Sequence, residues 1–215
     1  MIEFVLVSGF FWVPLIYLVA TTGFRLSRSE ELVGLVNDVS QMFARGVDFS
    51  TSGNQTLLTG TLAATFHMQG NGPNTVTGGS SGDMVIVLSQ YFYVNTADPG
   101  CNGCTNANNV VLERRIVVGN ASLIGYQGSP SSVGTIPSGN LNTTTGTCEP
   151  ADDNLPPSTT CQYTVAAVQV SSSAFNTIMT NLPTNGGGNI GGTVFLVEGY
   201  YTDITGRMIY QRSID

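Results

Sequence analysis

Few side chains in this chain could carry chemistry: one histidine, four cysteines, a short acidic cluster and a serine set among glycines. His67 ends the run Thr61–His67 (TLAATFH), which reads as a strand. A lone histidine without a partner in the sequence is a structural residue before it is a catalyst. Gly78-Gly79-Ser80-Ser81-Gly82 matches the nucleophile-elbow pattern G-x-S-x-G. That turn needs a strand before the serine and a helix after it. Here a turn-rich loop precedes it and a strand follows, so the match carries no nucleophile. Glu149, Asp152 and Asp153, beside Asn154, are oxygen-rich and are weak candidates for calcium. They lack the EF-hand spacing and its central glycine, and the simpler reading is a solvated loop.

Cys101, Cys104, Cys148 and Cys161 allow three pairings. Cys101–Cys104 and Cys148–Cys161 are favoured, each closing a local loop and together pointing to an oxidising compartment. Zinc is the rival, since C-x-x-C is a common half-site. No histidine accompanies the second pair. Thr105 stands where haem attachment needs histidine, and no helical pattern follows Cys101 as a thioredoxin-like site requires. Asn54, Asn120 and Asn142 each begin an N-glycosylation sequon. No catalytic set, phosphate loop or cofactor fingerprint is present, so the chain reads as a non-enzyme with no cofactor and no committed metal site.

The elements that position these residues are of two kinds. Phe4–Phe24 is an uncharged, apolar run of 21 residues, with Glu3 before it and Arg25 and Arg28 after it. That is long enough to cross a bilayer as a helix. The pattern continues beyond Arg28 with Leu32, Leu35, Val36, Val39, Met42 and Phe43 at spacings of three and four, an amphipathic helix with one apolar stripe. One helix is therefore expected from about residue 2 to about residue 46, roughly 65 Å long. Gly46 is its expected stop, with Arg45 in the last turn. Pro14 is expected to kink or locally melt it.

From residue 48 onward the period shortens. Thr61–His67, Asp83–Val94, Val110–Val118, Cys161–Val170, Gly192–Tyr201 and Met208–Gln211 read as strands separated by Gly, Pro, Asn and Ser. Ser173–Asn181 reads as a short helix, and Gly128–Pro157 as a long loop. The fold class expected is α+β, with residues 1–47 a transmembrane or assembly helix and residues 48–215 a β-rich extracytoplasmic head with disulfide-stapled loops.

The charge balance narrows the partners. Only 10% of the residues are charged, the seven basic residues are all arginine, and the formal net charge is −7. A nucleic-acid binder needs a basic footprint, and so does a polybasic membrane-surface protein. Neither is present.

Met1-Ile2-Glu3-Phe4-Val5-Leu6-Val7 resembles the start of type IV pilin-like proteins, and in particular the TadE/TadG-type pseudopilins of tight-adherence (Tad) pilus systems. Gln41-Met42-Phe43-Ala44-Arg45-Gly46 resembles the close of that family's helix. Thr193–Tyr201 followed by Met208–Arg212 resembles its C-terminal hairpin. Val85–Tyr91 and Val111–Gly119, with Arg114 and Arg115, fit more loosely. Glu3 is the third residue here, whereas processed pilin-like proteins carry the acid fifth.

The resemblance implies a structural subunit that polymerises into, caps or primes an extracellular filament. Its partners would be copies of itself and other pilin-like subunits, the bacterial inner membrane before assembly, a prepilin peptidase and the assembly machinery. Met1, Glu3, Phe4, Pro14, Arg25 and Arg28 would be its assembly residues, with Glu3 pairing the N-terminal amine of a neighbour. The alternative is a membrane-anchored binding or adhesion module that does not polymerise.

Overall fold

A computed structural model of the chain describes residues 2–71, 75–94, 104–124, 142, 144–147, 193–203, 206 and 208–214, with backbone alone over 2–8. Helix α1 spans Ile2–Ala44 and is followed by a short helix α2, Ser52–Leu57. Five strands follow among the described residues: β1 (Thr77–Gly79), β2 (Met84–Tyr93), β3 (Val110–Asn120), β4 (Thr193–Thr202) and β5 (Met208–Ile214). The α+β expectation holds for the described residues.

Helix α1 runs through Pro14 without a break, so the local melting expected there is absent. One missing hydrogen bond is a small loss in a helix of 43 residues, whose neighbouring turns stay bonded. The helix stops where expected. Gly46 takes φ +88°, its amide donates to the Phe43 carbonyl, and the Val47 amide donates to the Met42 carbonyl. This is the Schellman arrangement, and Met42 and Val47 both pack on the core, the contact that accompanies it. The last turn holds no basic residue, because Arg45 falls just beyond it.

The chain then turns back under the helix. Asp48 accepts hydrogen bonds from the Ser50 amide at 2.9 Å and the Ser50 hydroxyl at 2.8 Å, and Phe49 is fully buried. The segment read as a strand, residues 61–67, is instead helical: α2 widens into a π-turn at Leu58–Leu62, followed by a 3-10 turn at Ala64–Phe66. The buried residues explain this. Gln55, Leu58, Ala63 and Phe66 turn inward at spacings of three and five. A strand would need every second residue inward, and the Thr-rich composition that suggested one is overridden by burial.

The sheet order is β1-β3-β2-β4-β5, with β1 and β3 parallel and the other neighbours antiparallel. Val87 sits opposite Val117 of β3 and Glu198 of β4, and Glu198 sits opposite Arg212 of β5. The strands expected at 83–94, 110–118, 192–201 and 208–211 are present, β3 and β5 longer than expected. Strand β1 lies in a stretch whose turn-rich composition predicts a loop. The expected strand 161–170, helix 173–181 and loop 128–157 lie outside the described residues, apart from 142 and 144–147.

Both sheet faces are buried, which is why β2 reads as a near-continuous apolar run. Met84, Ile86, Leu88, Ile116, Val118, Val197 and Tyr201 form one core with Leu32, Leu35, Val36, Val39 and Phe43 of α1. Val85, Val87, Val117, Leu123 and Tyr200 form another on the opposite face. Where α1 crosses β4 the residue is Gly199. A Cβ there would lie 2.7 Å from Val36 Cγ2 and 3.2 Å from Leu32 Cδ1, so the glycine sets how closely helix and sheet approach.

Candidate functional site

The feature that could act on something outside the chain is the front of α1. Its C-terminal half is built into the head, while its N-terminal half is left uncovered. Phe10 is 83% exposed, Trp12 56%, Tyr17 69% and Phe24 75%, against zero for Leu32 and Val39. Val13, Leu15, Ile16, Leu18 and Val19 are exposed as well. A continuous apolar surface of this kind is unstable in water and marks a site that something covers. Over Gly9–Ala44 the helix is long and apolar enough to cross a membrane, and the head buries none of its most apolar window. The uncharged run of 21 residues would extend about 32 Å, close to a bilayer's hydrocarbon thickness.

Its threonines suit a water-free setting. Thr21 Oγ1 donates to the Tyr17 carbonyl at 2.9 Å, and Thr22 Oγ1 donates to the Leu18 carbonyl at 2.7 Å. Neither hydroxyl then needs an outside partner, which an apolar phase does not supply.

A collar closes the exposed half at the head. Arg25 Nε lies 3.1 Å from Asp203 Oδ2, joining α1 to the β4–β5 turn. Arg28 Nη1 donates to Glu31 Oε2 at 2.8 Å, and its guanidinium sits 5.7 Å from the centre of the Phe66 ring. The sequence marks both arginines as border residues; the structure adds their partners. Asp203 carried no sequence signal, because only the fold brings it back to residue 25. Pro14 is exposed within the uncovered half. Met1 and the side chains of Glu3 and Phe4 lie outside the described residues.

A second polar group lies within the sheet. Glu198 is buried and accepts a hydrogen bond from the Tyr210 hydroxyl at 2.9 Å. The Tyr200 ring stacks at a tilt on Tyr210, with centroids 4.9 Å apart. Burial first, and then the Glu198 charge, raise the pKa of Tyr200 above its ordinary value; burial, with Glu198 adding, does the same for Tyr91. These phenols stay protonated. The group reads as a polar seam holding β2, β4 and β5 in register.

The remaining candidates resolve in turn. His67 is exposed in a left-handed turn with φ +49°, Nδ1 3.5 Å from Asp83 Oδ2, rather than in a strand. Ser80 and Ser81 lie in the connection from β1 to β2, with no helix after them. Cys104 is disulfide-bonded, while Cys101, Cys148 and Cys161 lie outside the described residues. The same is true of Glu149, Asp152 and Asp153. Among the described residues no group of three or more His, Cys, Asp or Glu could hold a metal ion.

The three sequon asparagines serve the backbone. Asn54 Nδ2 donates to the Asp48 carbonyl at 2.8 Å. Asn120 is buried, donates to the Gly82 carbonyl at 2.8 Å and accepts from the Ser122 amide at 3.1 Å. Asn142 Oδ1 accepts from the Thr144 and Thr145 amides.

No protein-family model, curated protein or solved structure matches the chain.

Proposed function

We propose that the chain is a structural, pilin-like subunit of a type IV-like, Tad-type filament. It is held in the bacterial inner membrane by its N-terminal helix before assembly. The same helix then packs against copies of itself and other pilin-like subunits in an extracellular filament. The observation that carries this reading is a single continuous helix, half of it built into the head and half of it apolar and uncovered. Hydrocarbon and a bundle of like helices both bury such a surface, so the uncovered half can pass from one to the other.

The collar supports the same reading. Arg25 and Arg28 each meet an acid of their own chain. Anchoring to anionic lipid would need unpaired cations there. Glu3 would be neutralised by the N-terminal amine of a neighbouring subunit, since an unpaired charge is costly in an apolar core. A prepilin peptidase and assembly machinery complete the partners. Cys101–Cys104 and Cys148–Cys161 would staple the loops of the head; Cys104 is disulfide-bonded, as each of the three possible pairings requires.

Shearing the cell surface tests the proposal. Thin filaments containing this chain, identified by mass spectrometry, are the expected result. A chain found in the membrane fraction alone would leave an anchored binding module instead.

A further inference from the structure

The uncovered half of α1 holds a polar mismatch that lipid cannot cure. Pro14 has no N–H, so the Phe10 carbonyl loses the donor that a helix would place four residues on. Three residues beyond Pro14 is Tyr17, whose hydroxyl is exposed and has no hydrogen-bond partner among the described residues. Thr21 and Thr22 satisfy their hydroxyls on the helix itself; Tyr17 does not.

Acceptor and donor share a face. Steps of three and four residues join Phe10, Pro14, Tyr17 and Thr21 to Arg25, Arg28 and Leu32, the side on which the helix meets the head. The stripe thus prolongs the one face that α1 already uses for packing. A helical side chain leans back toward the N-terminus, while a helical carbonyl points toward the C-terminus. The Tyr17 hydroxyl and the Phe10 carbonyl therefore stand at similar heights, within about one turn, or ~5 Å.

We propose that this stripe is the contact with a second copy of the chain. The two helices run parallel in the bilayer, and each Tyr17 hydroxyl donates to the other's Phe10 carbonyl. Hydrocarbon offers neither donor nor acceptor. A parallel copy offers both at the matching depth, and two-fold symmetry makes the bond twice. Aromatic area on Phe10 and Tyr17 packs around the bonds. The inference rests on the proposed reading that this half of the helix is covered by its own kind, and it describes the paired state before a filament forms.

The test uses the full chain in phosphatidylcholine vesicles, with self-association read by energy transfer between donor- and acceptor-labelled copies. Wild type pairs. Tyr17→Phe keeps the ring and removes only the hydroxyl, and weakens pairing about tenfold through its two lost bonds. Pro14→Ala restores the N–H that occupies the Phe10 carbonyl, and weakens pairing to a similar degree. Arg45→Gln, exposed beyond the end of the helix and away from the uncovered half, leaves it unchanged. Tyr17 is exposed, so the unfolding midpoint of the head stays that of wild type in the Phe variant. A wild-type chain that remains single in vesicles overturns the inference. So does pairing unchanged by both stripe variants, which leaves the filament reading standing. Pairing that depends on Tyr17, in cells whose sheared material lacks the chain, supports the contact and defeats the filament reading alone.

Discussion

Arg25 and Asp203 meet at 3.1 Å across the base of the head, joining the helix at the point where it emerges to the turn between the last two described strands. The pair fixes the direction in which the uncovered half leaves the head. Asp203 is the more buried partner, with its side chain 11% exposed. Asp203→Asn should lower head stability only modestly, by about 1 kcal/mol, because Arg25 can turn to water. It should raise amide exchange over residues 21–30 much more. Exchange read by mass spectrometry checks this, and uniform exchange across the whole helix would show that the pair fixes nothing.

Gly199 has a different kind of leverage. A methyl group at this position meets Val36 at 2.7 Å, and neither the helix nor β4 can yield without disturbing the core between them. Gly199→Ala should cost about 1–3 kcal/mol by overpacking. Leu32→Ala, which leaves a hole in the same place, should cost about 2–5 kcal/mol. Denaturant unfolding of the two variants would show both losses with opposite causes, and Val36→Ala should relieve the first and not the second.

Asp48 ties the turn after the helix to β3. Burial works against its ionisation, but the Ser50 amide and hydroxyl and the Arg114 guanidinium outweigh it and hold the carboxyl below its ordinary value of 3.8. A carboxylate of lowered pKa contributes stability above its unfolded value and loses it as pH falls through the folded one. Asp48→Asn should therefore be less stable than wild type at pH 7, by about 1 kcal/mol given that the carboxylate is half exposed and screened. The two should converge below pH 3.8. Thermal unfolding midpoints across that range give the answer.

Asn120 sits in a sequon, yet its amide is buried and used on both sides. It should carry no glycan in any host. Asn120→Ala should destabilise the head by about 1–2 kcal/mol, as loss of a capping side chain does. Peptide mapping of protein made in a glycosylating host checks the first claim, and a modified Asn120 would contradict the placement of β3 against the turn before β2.

Much of this architecture was legible in the sequence because its signals are periodic. Leu32, Leu35, Val36, Val39 and Phe43 repeat at helical spacing and bury as a stripe. β2 and β4 read as strands because both faces of the sheet are covered. The misread segment, residues 61–67, shows the limit. Threonine favours strand and alanine favours helix, so the preferences of this run oppose one another, and the burial of Leu58, Ala63 and Phe66 decides for turns. β1 escaped notice because it is three residues long and two of them are glycine. Of the candidate site, the apolar run and its flanking arginines were visible. Asp203, Gly199 and Glu198 were not, since each matters only through what the fold brings against it.

If the chain builds a filament as proposed, the uncovered half of α1 ends up buried among protein. The chain contains a single tryptophan, Trp12, in the middle of that half. Its fluorescence in lipid-free filaments sheared from cells is the most direct measurement. Burial among like helices predicts blue-shifted emission that iodide cannot quench. Red-shifted, iodide-accessible emission would contradict the account, as would a chain whose Trp12 signal is found only in membranes and is quenched there by brominated lipid.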